Sequence, residues 1–251
     1  MKCTVFSAML RGPRAKQEDC IIDGLDLFQS DRLKEKKKFD TDFLLLLACD
    51  GMGGHDHGDM ASRFVCEQFK KKMINGAFCA ENIESILSEI QNLALEKLPE
   101  NCGTTVAGLI ITDDHAIAFN AGDSRVYRIS ENEINYISHD HSLVQGLVDK
   151  SFIRQDNAPL HPLKNLIDFG IGPIFNDAWE NNHIHIHDEL ISKDTWYLLC
   201  TDGLNDLLPD QEIHDRLWPS PVKNGANLLK KIKKKGLKDN TSFIIVRIHH
   251  S

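Results

Sequence analysis

Three aspartates stand at the ends of apolar runs. Residues 43–51 read FLLLLACDG, residues 196–203 read WYLLCTDG and residues 238–248 read KDNTSFIIVRI, so Asp50 and Asp202 close such runs and Asp239 opens one. A carboxylate taken into an apolar interior is costly unless it is paired or bound to a cation. Aspartate oxygens gathered in one place suit a hard divalent ion such as Mg2+ or Mn2+. The glycine after Asp50 and Asp202 has a use in such a site: without a Cβ it lets the backbone approach closely, and its carbonyl can be a ligand. Asp-Gly is also a strong hairpin signal, and three unrelated turns are the alternative reading.

The elements that must carry these acids are short. β-type runs bounded by Gly, Asp, Asn or Ser occur at 43–49, 104–112, 116–122, 125–130, 196–201 and 242–248. Between the first and second lie two helical patterns. Residues 59–73 place Met60, Phe64, Val65, Phe69 and Met73 at helical spacing, and residues 82–98 place Ile83, Ile86, Leu87, Ile90, Ala94 and Leu98 on one face, with Asn82 as the expected cap. A last helix is expected over 224–235. Two helices followed by closely spaced strands do not alternate as β-α-β units would, which predicts an antiparallel, layered α+β architecture. Residues 139–182 mix Pro, Gly and Asn, interrupt the strand series, and read as an insertion or flap over a site.

Composition sets the bounds. A chain of 251 residues with 41% hydrophobic and 26% charged residues is expected to form one large domain, 1–251, with a sizeable core. The net charge of -8 argues against a general nucleic-acid binder, which needs a basic surface. Seven cysteines without a C-x-x-C pair suggest neither a disulfide framework nor a zinc site. The apolar stretch before Arg11 is too short for a signal-peptide core, and no segment approaches a membrane span. The expectation is a soluble cytoplasmic protein in a reducing compartment.

Eight segments in order, RAKQED (14–19), DGMGGHDHGDMAS (50–62), GTTVAG (103–108), GDSRVYRI (122–129), DHSLVQGLV (140–148), HPLKNLI (161–167), TDGLNDLL (201–208) and DNTSFIIV (239–246), resemble the metal-dependent type 2C serine/threonine phosphatases, especially their compact bacterial members. The resemblance implies a four-layer α-β-β-α sandwich of two antiparallel sheets flanked by helices, with a flap insertion. It implies two Mn2+ or Mg2+ ions per chain and in-line attack of a metal-bridging water on phosphoserine or phosphothreonine. By resemblance Asp50 bridges the ions, Glu18 and the Gly51 carbonyl serve one, Asp202 and Asp239 serve the other, and Asp19 holds water from behind. Arg14 matches the phosphate-binding arginine, suited to that task by its planar fork. Asp123 matches a residue linked to a third, weaker ion that Asp202 could share, while GDSR also reads as a hairpin turn. Thr104 and Thr105 read as structural strand residues. The implied partners are phosphorylated proteins, among them a serine/threonine kinase and its substrates, with no nucleic acid or membrane, and the chain is expected as a monomer.

The chain departs from the pattern at three places. Met52 stands where many eukaryotic members carry a histidine assigned as general acid, which leaves His55, His57, His161 or a metal-bound water for that role. Lys164 replaces the arginine of HP-x-R-N, and Gln17 replaces an asparagine. HIHIH (183–187) puts three imidazoles on one side of a strand, where zinc binding competes with a solvated face. KEKKK (34–38) and KKIKKK (230–235) read as solvated charge, the second close enough to Asp239 to affect a phosphorylated substrate. No cysteine has an arginine six residues later, which excludes a cysteine phosphatase. The rivals left are a pseudophosphatase binding module, which predicts broken ligands, and a metal-dependent hydrolase of small phosphoesters.

Overall fold

A computed structural model describes residues 1–53, 57–75, 80–181, 183–191 and 195–249. The chain opens with β1 (Lys2–Leu10), β2 (Asp19–Asp23), β3 (Asp26–Phe28), β4 (Arg32–Asp40) and β5 (Phe43–Gly53). Two long helices follow, α1 (Gly58–Asn75) and α2 (Ala80–Lys97). Next come β6 (Cys102–Thr104), β7 (Val106–Thr112), β8 (His115–Ala121), β9 (Arg125–Ile129) and β10 (Ile134–Tyr136). The chain then passes through α3 (Leu143–Asp149) and two 3₁₀ segments, Gln155–Leu160 and Pro173–Glu180. It finishes with β11 (His185–Leu190), β12 (Trp196–Cys200), α4 (Asp202–Asn205), α5 (Asp210–Leu217), α6 (Pro221–Lys235) and β13 (Thr241–His249).

All strand pairs are antiparallel. One sheet runs β10-β9-β12-β13-β1-β4 and the other β11-β8-β7-β5-β2-β3, with β6 added on the end of β5. Period-two alternation divides each central strand between two cores. On β5, Leu44, Leu46 and Ala48 fill the core between the sheets, whereas Leu45, Leu47 and Cys49 meet Phe69 of α1 and Leu87 of α2. On β13, Ile244 and Val246 face the other sheet, while Phe243 and Ile245 meet Ile213 of α5 and Ile232 of α6. Three apolar layers inside four structural layers give the expected α-β-β-α sandwich. Each fully buried Leu or Ile contributes about 1.5–3 kcal/mol to holding it.

The structure corrects several local expectations. Residues 104–112 form two strands, because the chain breaks at Thr105 and pairs first with the end of β5 and then with its body. Asn82 lies inside α2, which begins at Ala80, so it is not the cap. α6 starts at Pro221, where proline at the first turn needs no hydrogen-bond partner for its nitrogen. β1, β4 and α5 were not expected. β11 begins at His185, so His183 precedes the strand; the His185 ring lies 5.8 Å from that of His139 and its Nε2 approaches Ile137 O at 3.1 Å. Among the described residues, no group of three or more His, Cys, Asp or Glu side chains is arranged to hold a metal ion. Within residues 139–181, Phe169 and Ile171 are fully buried, and Thr104 and Ile171 exchange backbone hydrogen bonds of 2.7 and 2.9 Å. Phe152 and Leu160 of the same segment are exposed.

Candidate active site

The register of β2 on β5 sets Asp19 opposite Asp50. Thr105, at the break between β6 and β7, fixes the Asp50 main chain: its Oγ1 accepts from Asp50 N at 3.0 Å and its N–H donates to Asp50 O at 2.9 Å. Thr104 Oγ1 donates to the same carbonyl at 2.8 Å. The Asp50 backbone is thereby satisfied, and its carboxylate is held at the end of the buried strand. Gly51 N donates to Glu18 O at 3.1 Å. A Cβ on Gly58 would stand 2.7 Å from Glu18 Oε1 and 2.8 Å from Gly51 O. The Glu18 carboxylate and the Gly51 carbonyl therefore converge on a space that glycine at position 58 leaves open.

The other sheet supplies Asp202 and Asp239. Asp202 opens α4 directly after β12, and its charge raises the pKa of the Asp50 carboxyl group. Asp19 is fully buried and joins the sheets: its Oδ2 accepts from Thr201 Oγ1 at 3.0 Å and from Ser242 Oγ at 2.6 Å. Asp239 Oδ1 accepts from Asn240 N at 2.7 Å, and its Oδ2 accepts from Arg14 Nη2 at 2.5 Å. Asn240, only 3% exposed, secures the loop that carries Arg14 and Glu18. Its Oδ1 accepts from Glu18 N at 2.7 Å, and its Nδ2 donates to Arg11 O at 2.7 Å and Lys16 O at 3.0 Å.

Asp123 is 8% exposed and lines a cavity of about 410 Å³ together with Asp202. The turn that presents it needs Gly122 at φ +103°, where a Cβ would also meet the Thr105 side chain at 2.6 Å. Arg125, on the same cavity wall, is held by Asp140 through contacts of 2.6–3.0 Å. Lys164 lines the same cavity and pairs with Asp206, just after α4.

Burial and mutual repulsion push the acids up. The Asp19 carboxyl rises to about 7, chiefly from burial and against the hydrogen bonds from Ser242 and Thr201; Asp202 rises to about 6, again chiefly from burial. Asp50 lies well above the usual carboxylate range through burial and the charges of Asp19, Asp202 and Asp123. Asp123 does so through burial and Asp202. Three oxygens, Asp19 Oδ1, Asp123 Oδ1 and Asp202 Oδ1, are buried without a hydrogen-bond partner. The bordering cations are committed elsewhere: Arg14 to Asp239, Arg125 to Asp140, Lys164 to Asp206. Excess buried negative charge, orphaned oxygens and an all-oxygen donor set fit a hard divalent cation. Among the described residues the acids do not close a cage as they stand, and Asp239 faces Arg14.

The expected residues Arg14, Glu18, Asp19, Asp50, Gly51, Asp202 and Asp239 are tied together by these contacts, and Asp123 joins from the cavity side. Of the general-acid candidates, His55 lies outside the described residues. His57 directly precedes Gly58 and has a buried Nδ1 with no partner. His161 Nδ1 accepts from Leu163 N at 3.2 Å. Sequence reasoning missed Asn240, Thr201 and Ser242, and took Thr105 for a plain strand residue. Their signal was a hydroxyl or amide within three residues of an acid in CTDG and DNTS.

Residues 25–239 match the family described as protein phosphatase 2C. The serine/threonine phosphatase stp of Listeria welshimeri is 29% identical over 217 residues, covering 80% of this chain and 83% of its own. The serine/threonine phosphatase Stp1 of Staphylococcus aureus superposes with a TM-score of 0.82 at 27% identity, over 98% of this chain and 95% of the other. The catalytic domain of the serine/threonine protein phosphatase PstP, solved with two manganese ions, shares the fold with a TM-score of 0.75 at 22% identity over the whole of both chains. The shared sandwich and the family match carry one conclusion: this chain belongs to the protein phosphatase 2C family and is a protein serine/threonine phosphatase of that type.

Proposed function

We propose that this phosphatase hydrolyses phosphoserine and phosphothreonine in phosphorylated proteins with two divalent cations, Mn2+ or Mg2+, and a third, weaker one. Asp50 would serve both main ions, Glu18 and the Gly51 carbonyl one of them, Asp202 and Asp239 the other, and Asp123 with Asp202 the third. When bound, such ions supply charge neutralisation at the phosphoryl group and a nucleophile at neutral pH. The chain's own groups do the rest. Asp50, Asp202 and Asp239 would hold the ions as carboxylates. The Arg14 guanidinium, paired with Asp239 beside them, would grip two phosphoryl oxygens in its planar fork. Asp19 braces the cluster from behind through Thr201 and Ser242. His57 is our assignment for the proton delivered to the leaving serine or threonine oxygen.

The observation that carries this reading is the set of orphaned carboxylate oxygens on Asp19, Asp123 and Asp202, beside the bordering cations Arg14, Arg125 and Lys164 that are paired with Asp239, Asp140 and Asp206. We assign residues 1–251 to one catalytic unit with 139–182 as its flap, acting as a cytoplasmic monomer against a serine/threonine kinase and its substrates, without nucleic acid or membrane. No helix among the described residues is long and apolar enough to cross a membrane. The test is turnover of phosphoserine, phosphothreonine and phosphotyrosine peptides by purified protein with and without Mn2+ or Mg2+. Hydrolysis of the first two that stops on chelation is the expected result, and activity that survives complete metal removal refutes the mechanism. Metal binding without turnover of any substrate would make the chain a binding module.

A further inference from the structure

The two lysine-rich runs are each divided by the fold into a neutralised and an unmatched set. On β4 the register with β1 sets Arg32, Lys34 and Lys36 opposite Leu10, Ala8 and Phe6. Directly opposed side chains share a face of the sheet, and Leu10, Ala8 and Phe6 belong to the core beneath α6. α6 lies close on β1, where a Cβ at Gly225 would meet the Phe6 ring at 2.6 Å. The apolar face is therefore covered by α6 over β1 and becomes a row of cations on β4, the last strand of the sheet. Lys37, on the opposite face, is held by Asp23 at 2.5 Å and Asp26 at 2.8 Å. On α6, Lys231 and Lys235 pair with Glu212, whereas Lys230 and Lys233 turn toward β4.

Arg32, Lys34, Lys230 and Lys233 are exposed, and none makes an ion pair or side-chain hydrogen bond among the described residues. They border a cavity of about 280 Å³ floored by Ala226 and Leu229. Arg32 and Lys233 also border a second cavity of about 450 Å³ that continues to Gly12 and Pro13. Its one acid, Asp31, is taken by Arg11 at 2.9 Å. Pro13 directly precedes Arg14, so the groove leads from the β4–α6 cleft to the loop that carries the proposed phosphate-gripping guanidinium.

We infer that this groove is a docking site for an acidic segment of the phosphoprotein substrate. A cluster of unmatched cations in a chain of net charge -8 has an acidic complement. The apolar floor suits peptide side chains, and a segment lying in the groove brings its phosphorylated residue to the catalytic loop. The inference rests on the phosphatase reading, and binding is measured apart from turnover so that each can fail alone.

The experiment uses two phosphothreonine peptides that share a core, one with an Asp/Glu-rich flank and one with a Gln/Ser flank, plus a small aryl phosphate. The enzyme is wild type, Lys230→Glu/Lys233→Glu, Arg32→Glu/Lys34→Glu, and the milder Lys230→Gln/Lys233→Gln, each checked for an unchanged melting temperature. Charge reversal is expected to raise KM for the acidic-flank peptide roughly tenfold, the sum of several exposed ion pairs, with kcat unchanged and the other two substrates unaffected. The effect should shrink with added salt. Fluorescence anisotropy of the acidic flank alone, without phosphothreonine, reads the groove independently: binding lost in the reversed variants supports docking even if no peptide is hydrolysed. Equal KM for both peptides in all variants, or no charge-dependent binding of the flank, overturns the inference. So does selective binding of RNA or of phosphatidylserine vesicles by the same four cations without discrimination between the peptides.

Discussion

Asn240→Ala should detach the catalytic loop from β13. The side chain makes three hydrogen bonds in a nearly dry position: from Glu18 N at 2.7 Å, to Arg11 O at 2.7 Å and to Lys16 O at 3.0 Å. Each is worth about 0.5–1.5 kcal/mol net, and an orphaned buried donor adds about 1–3 kcal/mol. Water entering the space left by the amide will recover part of this, so about 3 kcal/mol is expected. For a chain of this length that lowers the melting temperature by roughly 6–12 °C. Glu18 and Arg14 ride on the freed loop, so metal affinity should fall and KM should rise together. Thermal and urea unfolding, calorimetric Mn2+ titration and phosphopeptide kinetics on the same preparation provide the measurement. Asn240→Asp keeps the acceptor for Glu18 N and removes both donors, so it should hold Glu18 better than the alanine variant while still loosening residues 11–16. A stability loss under about 1 kcal/mol with unchanged metal affinity would refute the stapling role.

Asp50→Asn and Asp239→Ala should each cut turnover to near background while the protein stays folded, and Mn2+ should raise the melting temperature of wild type far more than that of Asp50→Asn. Arg14→Ala should chiefly raise KM, since a grip held in both ground and transition states is uniform binding; a large fall in kcat at constant KM would require another role. Asp123→Ala should keep two tight ions by calorimetry yet turn over slowly, and loss of the tight sites would move Asp123 into the main cluster. His57→Ala should slow phosphoserine peptides much more than an aryl phosphate, whose leaving group needs no proton, and equal losses on both would remove His57 as the proton donor.

What the sequence made legible followed periodicity and local chemistry. The strands over 43–49, 116–122, 196–201 and 242–248 and both long helices were readable because their apolar residues sit in cores that demand alternation or helical spacing. β4 was hidden for the opposite reason: as an edge strand with lysines on one face, its residues Lys34 to Lys38 look like a solvated charge run until the register with β1 is known. The acids were visible as anomalies, carboxylates where apolar runs end. Their supports were not, because Thr105, Thr201, Ser242 and Asn240 are ordinary strand and turn residues until long-range packing brings them to Asp50, Asp19 and Glu18.

The division of the acids between the sheets explains why this fold suits the task. Asp19 and Asp50 sit opposite one another on one sheet, and Asp202 and Asp239 flank adjacent strands of the other. Neither sheet alone gathers four carboxylates, so the spacing between the pairs is set by packing of the inter-sheet core around Leu46, Ala48, Ile244 and Val246. Asp19 is hydrogen-bonded to hydroxyls of the opposite sheet, through Thr201 and Ser242. Close-packed interiors transmit small volume changes. A cavity made between the sheets, far from any ligand, therefore acts on the site by shifting one pair of acids against the other, whereas a cavity under α2 leaves both pairs on their strands.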